Sequence, residues 1–231
     1  MRMSRHLSAS LFNKANRVDK QDAIDWLKSL PSESVDLFIT DPAYESLEKH
    51  RKIGTTTRLN EWFEIFTNDR FPDLFAEMYR VLKPCRHTYV FCDQETAFVI
   101  KPIAEAAGFK FWKPIVWDKV SIGMGYHYRA QYEFIMFFEK GKRQLNDLSV
   151  PDVLQSNRIR NKYPTEKPVN LSEILVNQST ERGFIVADPF CGSGSVAEAS
   201  VKNGRIFWGT DTSDRAVSLT FNRIVQNTRY E

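Results

Sequence analysis

Short apolar runs alternate along the chain with longer segments whose apolar residues recur at helical spacing. The short runs are rich in β-branched and aromatic residues, so they predict buried strands. We expect strands at 35–40, 87–92, 115–117, 132–138, 184–187 and 206–209. The longer segments predict helices at 18–30, 75–82, 97–107, 171–176, 197–202 and 216–225. In the third of these helices, Pro102 is expected in the first turn and Gly108 just beyond the last. Such alternation favours βαβ units, and hence an α/β fold with a mostly parallel sheet.

The run 35–40 ends in Asp41-Pro42-Ala43-Tyr44, which places a carboxylate, a proline and an aromatic ring at the carboxyl end of a predicted strand. Ligands of open parallel sheets bind beyond the carboxyl ends of the strands. Asp41 and Tyr44 are therefore candidates for chemistry. The alternative is an ordinary turn, since Asp-Pro is common where strands end.

A second motif, Asp188-Pro-Phe190-Cys-Gly192-Ser-Gly194-Ser, follows a predicted strand and precedes a predicted helix. Glycines let the backbone turn tightly and approach a ligand, and a helix N-terminus offers free N–H groups. Asp211 ends the next strand, 19 residues after Gly192, close to the spacing at which an acid binds ribose hydroxyls. Its alternative role is to cap the following helix. The motif lacks the phosphate-loop pattern, and an NAD site is not excluded.

Composition adds only broad bounds. The chain has 231 residues, 42% of them hydrophobic and 26% charged, which is typical of one soluble domain spanning 1–231. A net charge of +3 permits a nucleic-acid partner without requiring one. The three cysteines lack the spacing of a zinc site or a disulfide framework, so we expect no metal and a cytoplasmic location. No apolar run is long enough for a transmembrane helix.

Taken together, the motifs resemble those of the β-class DNA amino-methyltransferases. That family carries an Asp-Pro-Pro-Tyr turn and a Phe-x-Gly-x-Gly loop, which correspond to residues 41–44 and 190–194. The turn precedes the loop, as in the circularly permuted β-class order. Tyr163-Pro-Thr-Glu-Lys-Pro168 resembles the segment that precedes the loop in that class. The resemblance covers roughly 18–225 and implies a Rossmann-like methyltransferase fold with helices on both faces of the sheet.

The resemblance also implies roles for residues. The cofactor would be S-adenosyl-L-methionine. Asp41 and the Pro42 carbonyl would accept hydrogen bonds from the N–H groups of an exocyclic amine. Asp41 would also lie near the cofactor. Tyr44 would stack on a base extruded from double-stranded DNA. The expected cofactor residues are Asp188, Phe190, Gly192 and Gly194 in the loop, Asp211 at the ribose, Asp22 at the adenine, and Thr165 and Lys167 at the methionine carboxylate.

Three features depart from the family pattern. Cys85 and Arg86 stand where the family usually has two glycines after Lys-Pro. Ala43 replaces the second proline, which leaves the turn freer. The segment 142–162, where target recognition is expected, is short. The alternatives are that the recognised site is short, that the inserted loop 45–72 reads DNA instead, or that the protein acts as a homodimer. We expect the candidate DNA contacts to be Lys49, Arg51 and Arg58 in this loop, and His127 and Arg129 in an aromatic loop.

The sequence thus favours a DNA adenine-N6 methyltransferase, because the catalytic turn begins with Asp. Cytosine-N4 methylation is the nearest alternative, although its turn more often begins with Ser. A domain that binds cofactor and nucleic acid without catalysis is a second alternative, and an NAD-dependent enzyme is a third. The sequence leaves open a restriction-enzyme partner.

Overall fold

The computed structural model describes residues 15–47, 64–123, 126–160, 163 and 165–228. Within these ranges the strands are β1 Arg17–Lys20, β2 Val35–Thr40, β3 Leu82–Cys92, β4 Lys110–Asp118, β5 Tyr132–Lys140, β6 Val153–Gln155, β7 Ile185–Asp188 and β8 Ile206–Asp211. The α-helices are α1 Ala23–Ser29, α2 Phe71–Val81, α3 Gln94–Ala106, α4 Val169–Ser179, α5 Ser195–Lys202 and α6 Asp214–Thr228. A short 3₁₀ helix, Asn68–Arg70, precedes α2.

The eight described strands form one sheet in the order β1-β8-β7-β2-β3-β5-β4-β6. All neighbouring pairs are parallel except those that β5 makes with β3 and β4. The predicted mostly parallel sheet is therefore confirmed. None of the helices in the described ranges is long and apolar enough to span a membrane.

The central strand β2 is buried at every position because side chains on both of its faces meet helices. Phe38 belongs to a core that includes residues of α1, α2 and α3, whereas Leu37 and Ile39 belong to a core that includes residues of α4, α5 and α6. Each of these strand residues is fully buried. Helices on both faces are the predicted arrangement.

The chain order reverses between β7 and β2. From β2 the next strand, β3, lies on one side, and from β7 the next strand, β8, lies on the other. This reversal is a topological switch point, where open sheets form a crevice at the carboxyl ends of their strands. Asp41 immediately follows β2, and Asp188 ends β7.

Some predicted boundaries were wrong. Residues 17–20 pair with β8 as strand β1 instead of opening a helix, and α1 begins only at Ala23. Pro102 lies well inside α3 instead of in its first turn, whereas Gly108 follows that helix as expected, at φ +107°. The segment 142–162 contains β6, which the sequence did not indicate. The inserted loop 45–72 ends earlier than predicted because α2 begins at Phe71.

Candidate active site

A cleft of about 800 Å³ opens at the carboxyl ends of β2 and β7. That volume lies within the usual range for small-molecule sites. The cleft brings together most of the residues predicted from the two motifs. Its lining includes Asp22, Asp41, Pro42, Tyr44, Thr165, Lys167, Asp188, Phe190, Gly192 and Asp211.

The turn after β2 is braced by a distant segment of the chain. The Phe66 N–H donates to the Ala43 carbonyl at 2.8 Å, and Tyr44 forms a parallel bridge with Phe66. The Phe66 ring also meets the Phe190 ring edge-on, at 5.0 Å between centroids. The returning chain therefore restrains the turn at the position where Ala43 replaces proline. Sequence reasoning did not identify Phe66 as a site residue.

Tyr44 lines the cleft but is only 7% exposed. Burial raises the pKa of its hydroxyl, and the nearby carboxylates of Glu133 and Asp41 raise it further. The phenol is therefore neutral throughout the physiological range. Stacking of Tyr44 on an extruded base stays a prediction.

The loop after β7 is shaped by Asp188. Its Oδ1 accepts the Phe190 N–H and the Thr40 hydroxyl, each at 2.9 Å. Burial raises the pKa of Asp188 to about 7, despite these two hydrogen bonds, which favour the ionised form. One buried carboxyl group thus bends the loop and ties β7 to the end of β2.

Asp211 holds the same loop from the next strand. Its Oδ2 accepts the Gly192 N–H at 3.0 Å, and its Oδ1 accepts the Ser213 N–H at 2.9 Å. A carboxylate has about four acceptor positions, so these backbone donors leave room for a ligand's hydroxyl. The alternative role as cap of α6 is taken by Ser213, whose hydroxyl accepts the Ala216 N–H at 3.4 Å. The ribose contact of Asp211 stays a prediction.

The two glycines of the loop act differently. Gly192 lines the cleft at φ +49°, and a Cβ there would lie 3.7 Å from the Tyr163 ring. Gly194 is the N-cap of α5 at φ +84°, where a Cβ would lie 2.8 Å from the Thr220 Cα of α6. Gly194 therefore permits the close packing of two helices.

Asp22 was predicted at the adenine end of the cofactor, and it also caps α1. Its Oδ1 accepts the Ile24 N–H at 3.0 Å, and its Oδ2 pairs with Arg70 at 2.6 Å. Burial alone would raise the pKa of Asp22, but Arg70 and the backbone donors outweigh it and hold that pKa below its usual value. Arg70 also lies 4.6 Å from the Phe66 ring centroid. Arg70 lines the cleft but was not predicted there.

Lys167, predicted at the methionine carboxylate, donates from Nζ to Asp41 Oδ2. Burial raises the pKa of Asp41, although Lys167 opposes that shift. On its other side, Lys167 Nζ lies 3.6 Å from Glu133 Oε2. Glu133 in turn accepts from Lys119 at 2.6 Å. Glu133 and Lys119 are further site residues that sequence reasoning missed, and the one available signal was a carboxylate near the start of the apolar run 132–138.

The candidate DNA-binding residues are only partly described. Lys49, Arg51 and Arg58 lie outside the described residues. His127 and Arg129 lie in an exposed loop between β4 and β5, beside the exposed Tyr126 and Tyr128. From the segment 142–162, Arg158 and Arg160 line the cleft. DNA contact by any of these residues stays a prediction.

A ligand cleft at the switch point of an open α/β sheet, with a carboxylate turn on one side and a glycine loop on the other, defines a Rossmann-like enzyme that binds a nucleotide-type cofactor. The model of the N6/N4 DNA methylase family matches residues 35–160 and 145–222. Together these ranges cover most of the chain. The chain belongs to this family and is a DNA amino-methyltransferase. An NAD-dependent enzyme is accordingly no longer supported.

Two curated relatives match most of the chain. The type II methyltransferase M.HpaI of Haemophilus parainfluenzae is 27% identical over 231 residues, which cover 88% of this chain and 72% of the relative. The DNA adenine methyltransferase YhdJ of Escherichia coli K12 is 26% identical over 251 residues, which cover 92% and 83% respectively.

Two solved structures support the fold. TTHA0409 of Thermus thermophilus, complexed with S-adenosyl-L-methionine, superposes with a TM-score of 0.69 at 21% identity and covers 94% of this chain and 96% of its own. The cytosine-N4-specific PvuII DNA methyltransferase superposes with a TM-score of 0.72 at 16% identity, over 94% and 92%. The methyltransferase fold predicted from the sequence is thus confirmed.

Proposed function

We propose that this chain transfers a methyl group from S-adenosyl-L-methionine to the N6 amine of adenine in double-stranded DNA. The observation that carries the proposal is the position of Asp41, which shares one cleft with residues 190–193 of the glycine loop. A similar adenine methyltransferase supports the choice of base. The Asp-led turn supports it as well.

The residues of the cleft fit this cofactor. Gly192 brings backbone to the cleft wall without a side chain, and the Asp211 carboxylate retains acceptor positions for ribose hydroxyls. The ring of Phe190 and the carboxyl group of Asp22 also line the cleft. When bound, S-adenosyl-L-methionine supplies an electrophilic methyl group on a positively charged sulfur.

Asp41 and Pro42 provide the two hydrogen-bond acceptors that make the target amine a better nucleophile. The lone pair of an aromatic amine is delocalised into the ring, so the amine is a weak nucleophile. The Asp41 carboxylate and the Pro42 carbonyl accept hydrogen bonds from its two N–H groups. These hydrogen bonds localise the lone pair on the nitrogen. Asp41 also stabilises the positive charge that the nitrogen gains as the carbon–nitrogen bond forms and the carbon–sulfur bond breaks. The nitrogen then loses one proton to solvent. Because the turn is braced by Phe66, these acceptors need little reorganisation.

The test is to express the protein in cells without adenine-N6 or cytosine-N4 methylation and to digest their DNA to nucleosides. We expect N6-methyladenine from the wild type and none from Asp41→Ala. The matched control is Asp73→Ala, which removes an exposed carboxylate in the first turn of α2. Detection of N4-methylcytosine without N6-methyladenine would show that the target base is cytosine and would overturn the choice of adenine. The similar PvuII enzyme is specific for cytosine N4.

Two further predictions concern partners. A restriction enzyme of matching specificity is supported by the type II relatives, and a homodimer by the short segment 142–162. If a partner restriction enzyme exists, DNA methylated by this protein should resist digestion by that enzyme. If the protein is a homodimer, its mass in solution should be twice that of one chain.

A further inference from the structure

Four charged side chains form an alternating series along the cleft. In order, they are Lys119, Glu133, Lys167 and Asp41. Lys119 Nζ lies 2.6 Å from Glu133 Oε1, Lys167 Nζ lies 3.6 Å from Glu133 Oε2, and Lys167 Nζ also donates to Asp41 Oδ2. All four side chains are at most 24% exposed. The series is electrically neutral, which suits a site of low polarity.

One acceptor in this series is not fully used. Glu133 Oε2 is buried and accepts no hydrogen bond from any described residue. Its 3.6 Å separation from Lys167 Nζ is an ion pair but is longer than a charged hydrogen bond. Lys167 therefore lies between one carboxylate that it hydrogen-bonds and a second that could accept the same ammonium.

The contact between Lys167 and Asp41 conflicts with the proposed reaction. An ammonium on the Asp41 carboxylate occupies an acceptor oxygen and offsets the negative charge that should stabilise the methylated nitrogen. A buried lysine cannot simply leave, because an unpaired charge in the cleft is costly. The amine can displace Lys167 from Asp41 only if the lysine has another partner, which is either Glu133 or the methionine carboxylate predicted beside it.

We propose that Glu133 is that partner: it receives the Lys167 ammonium when the target amine binds Asp41. This inference rests on the proposed function. Glu133 does not touch the reacting atoms, so it is a positioning residue that acts through Lys167. After this exchange of partners, no ammonium offsets the negative charge of the Asp41 carboxylate when the amine binds.

The surroundings favour so small a movement. Lys167 needs to move by less than about 1 Å to shorten the 3.6 Å contact to a charged hydrogen bond. Lys119 holds the other oxygen of Glu133, so that the receiving carboxylate stays in place. The Phe91 ring centroid lies 5.5 Å from Lys167 Nζ, which places an aromatic ring near the ammonium. Lys167 keeps a carboxylate partner throughout.

The test uses the full-length protein, unmethylated plasmid DNA and S-adenosyl-L-methionine with a tritiated methyl group. Single-turnover methyl transfer and cofactor binding are measured for the wild type and Glu133→Gln. We expect the rate at saturating cofactor to fall at least about tenfold, while the cofactor dissociation constant stays within about threefold. The matched control is Glu139→Gln, a buried carboxyl group at the far end of the same strand, which should transfer methyl at the wild-type rate.

A double-mutant cycle with Lys167→Met separates positioning from general structural damage. If Glu133 acts only through Lys167, then adding Glu133→Gln to Lys167→Met causes no further loss of rate. A further loss of tenfold in that background would contradict the proposal. Lys119→Met provides a second variant, which removes the side chain that holds Glu133 in place. Its transfer rate should therefore also fall, while the cofactor dissociation constant stays within about threefold.

The outcomes distinguish the two proposals. A wild-type protein that transfers no methyl group overturns the proposed function itself. An active wild type with an equally active Glu133→Gln variant overturns the exchange alone. If Glu133→Gln does not fold, a folded Lys119→Met variant that transfers methyl at the wild-type rate overturns the exchange, because the receiving carboxylate then needs no anchor.

Discussion

The carboxyl ends of β2 and β7 are neighbours in the sheet, yet their acidic groups are held in different ways. After β7, Asp188 accepts a backbone N–H from its own loop, and Asp211 of β8 accepts another. After β2, the Asp41 carboxylate is bound by a lysine side chain. Carboxylates beside β7 thus fix a backbone shape, whereas the carboxylate beside β2 binds a group that can move.

This difference matches the two tasks of a methyltransferase. A cofactor loop must keep one shape, and backbone hydrogen bonds to a buried carboxyl group serve that purpose. A group that receives the substrate amine must be free to exchange partners. We therefore expect changes at Asp41 to affect methyl transfer, and changes in the β7 loop to affect folding and cofactor binding.

The largest expected effect is that of Asp41→Ala. Removal of the carboxylate eliminates both an acceptor for the amine and a charge that stabilises the transition state, so methyl transfer should fall by about 10²–10³-fold or more. Cofactor affinity should change little, as measured by calorimetric titration. Loss of cofactor affinity in proportion to the rate would show that the β2 turn is part of the cofactor site instead.

The next largest effect concerns the two loop glycines. Gly194→Ala should destabilise the protein by about 2–4 kcal/mol, because its Cβ would lie 2.8 Å from the Thr220 Cα and its φ is +84°. Gly192→Ala meets no such clash and should cost only about 1–2 kcal/mol of backbone strain. Urea denaturation measures both values. Equal losses would mean that Gly194 is not required by the packing of α5 on α6.

A smaller effect is expected for Asp188→Ala, which leaves the Phe190 N–H and the Thr40 hydroxyl without their acceptor. One unsatisfied buried donor costs about 1–3 kcal/mol, and we expect a loss in this range because water that enters from the cleft can serve the other donor. Asp188→Asn keeps an acceptor oxygen and should be milder in thermal denaturation. The idea that Asp188 shapes the loop fails if the two variants bind cofactor as tightly as the wild type and are equally stable.

A further effect, of a different kind, is a dependence of stability on pH. Burial raises the pKa of Asp188 from 3.8 to about 7, so between these values the folded state holds a proton that the unfolded state has lost. Asp188 therefore makes the free energy of unfolding fall as pH rises from about 4 to about 7. Asp188→Asn should lack this contribution. Identical pH profiles for the two proteins would contradict the raised pKa.

The sequence predicted the parts of the site that depend on local pattern. A few consecutive residues are enough to identify strand β2 with Asp41. The same is true of the glycine loop with Asp188. The sequence did not predict Phe66, Arg70 or Glu133, because their places in the cleft depend on distant parts of the chain. Strand β1 was missed for a similar reason, since four half-polar residues become a strand only by pairing with β8.

We assign chemistry to the turn after β2 and cofactor binding to the loop after β7. The most direct test of this assignment is the single-turnover rate of methyl transfer at cofactor concentrations that saturate each variant. We predict that Asp41→Asn stays at least about 100-fold slower than the wild type, whereas Asp188→Ala recovers to within about threefold. If Asp188→Ala remained as slow as Asp41→Asn at saturation, or if Asp41→Asn matched the wild type, the assignment of chemistry to the β2 turn would be contradicted.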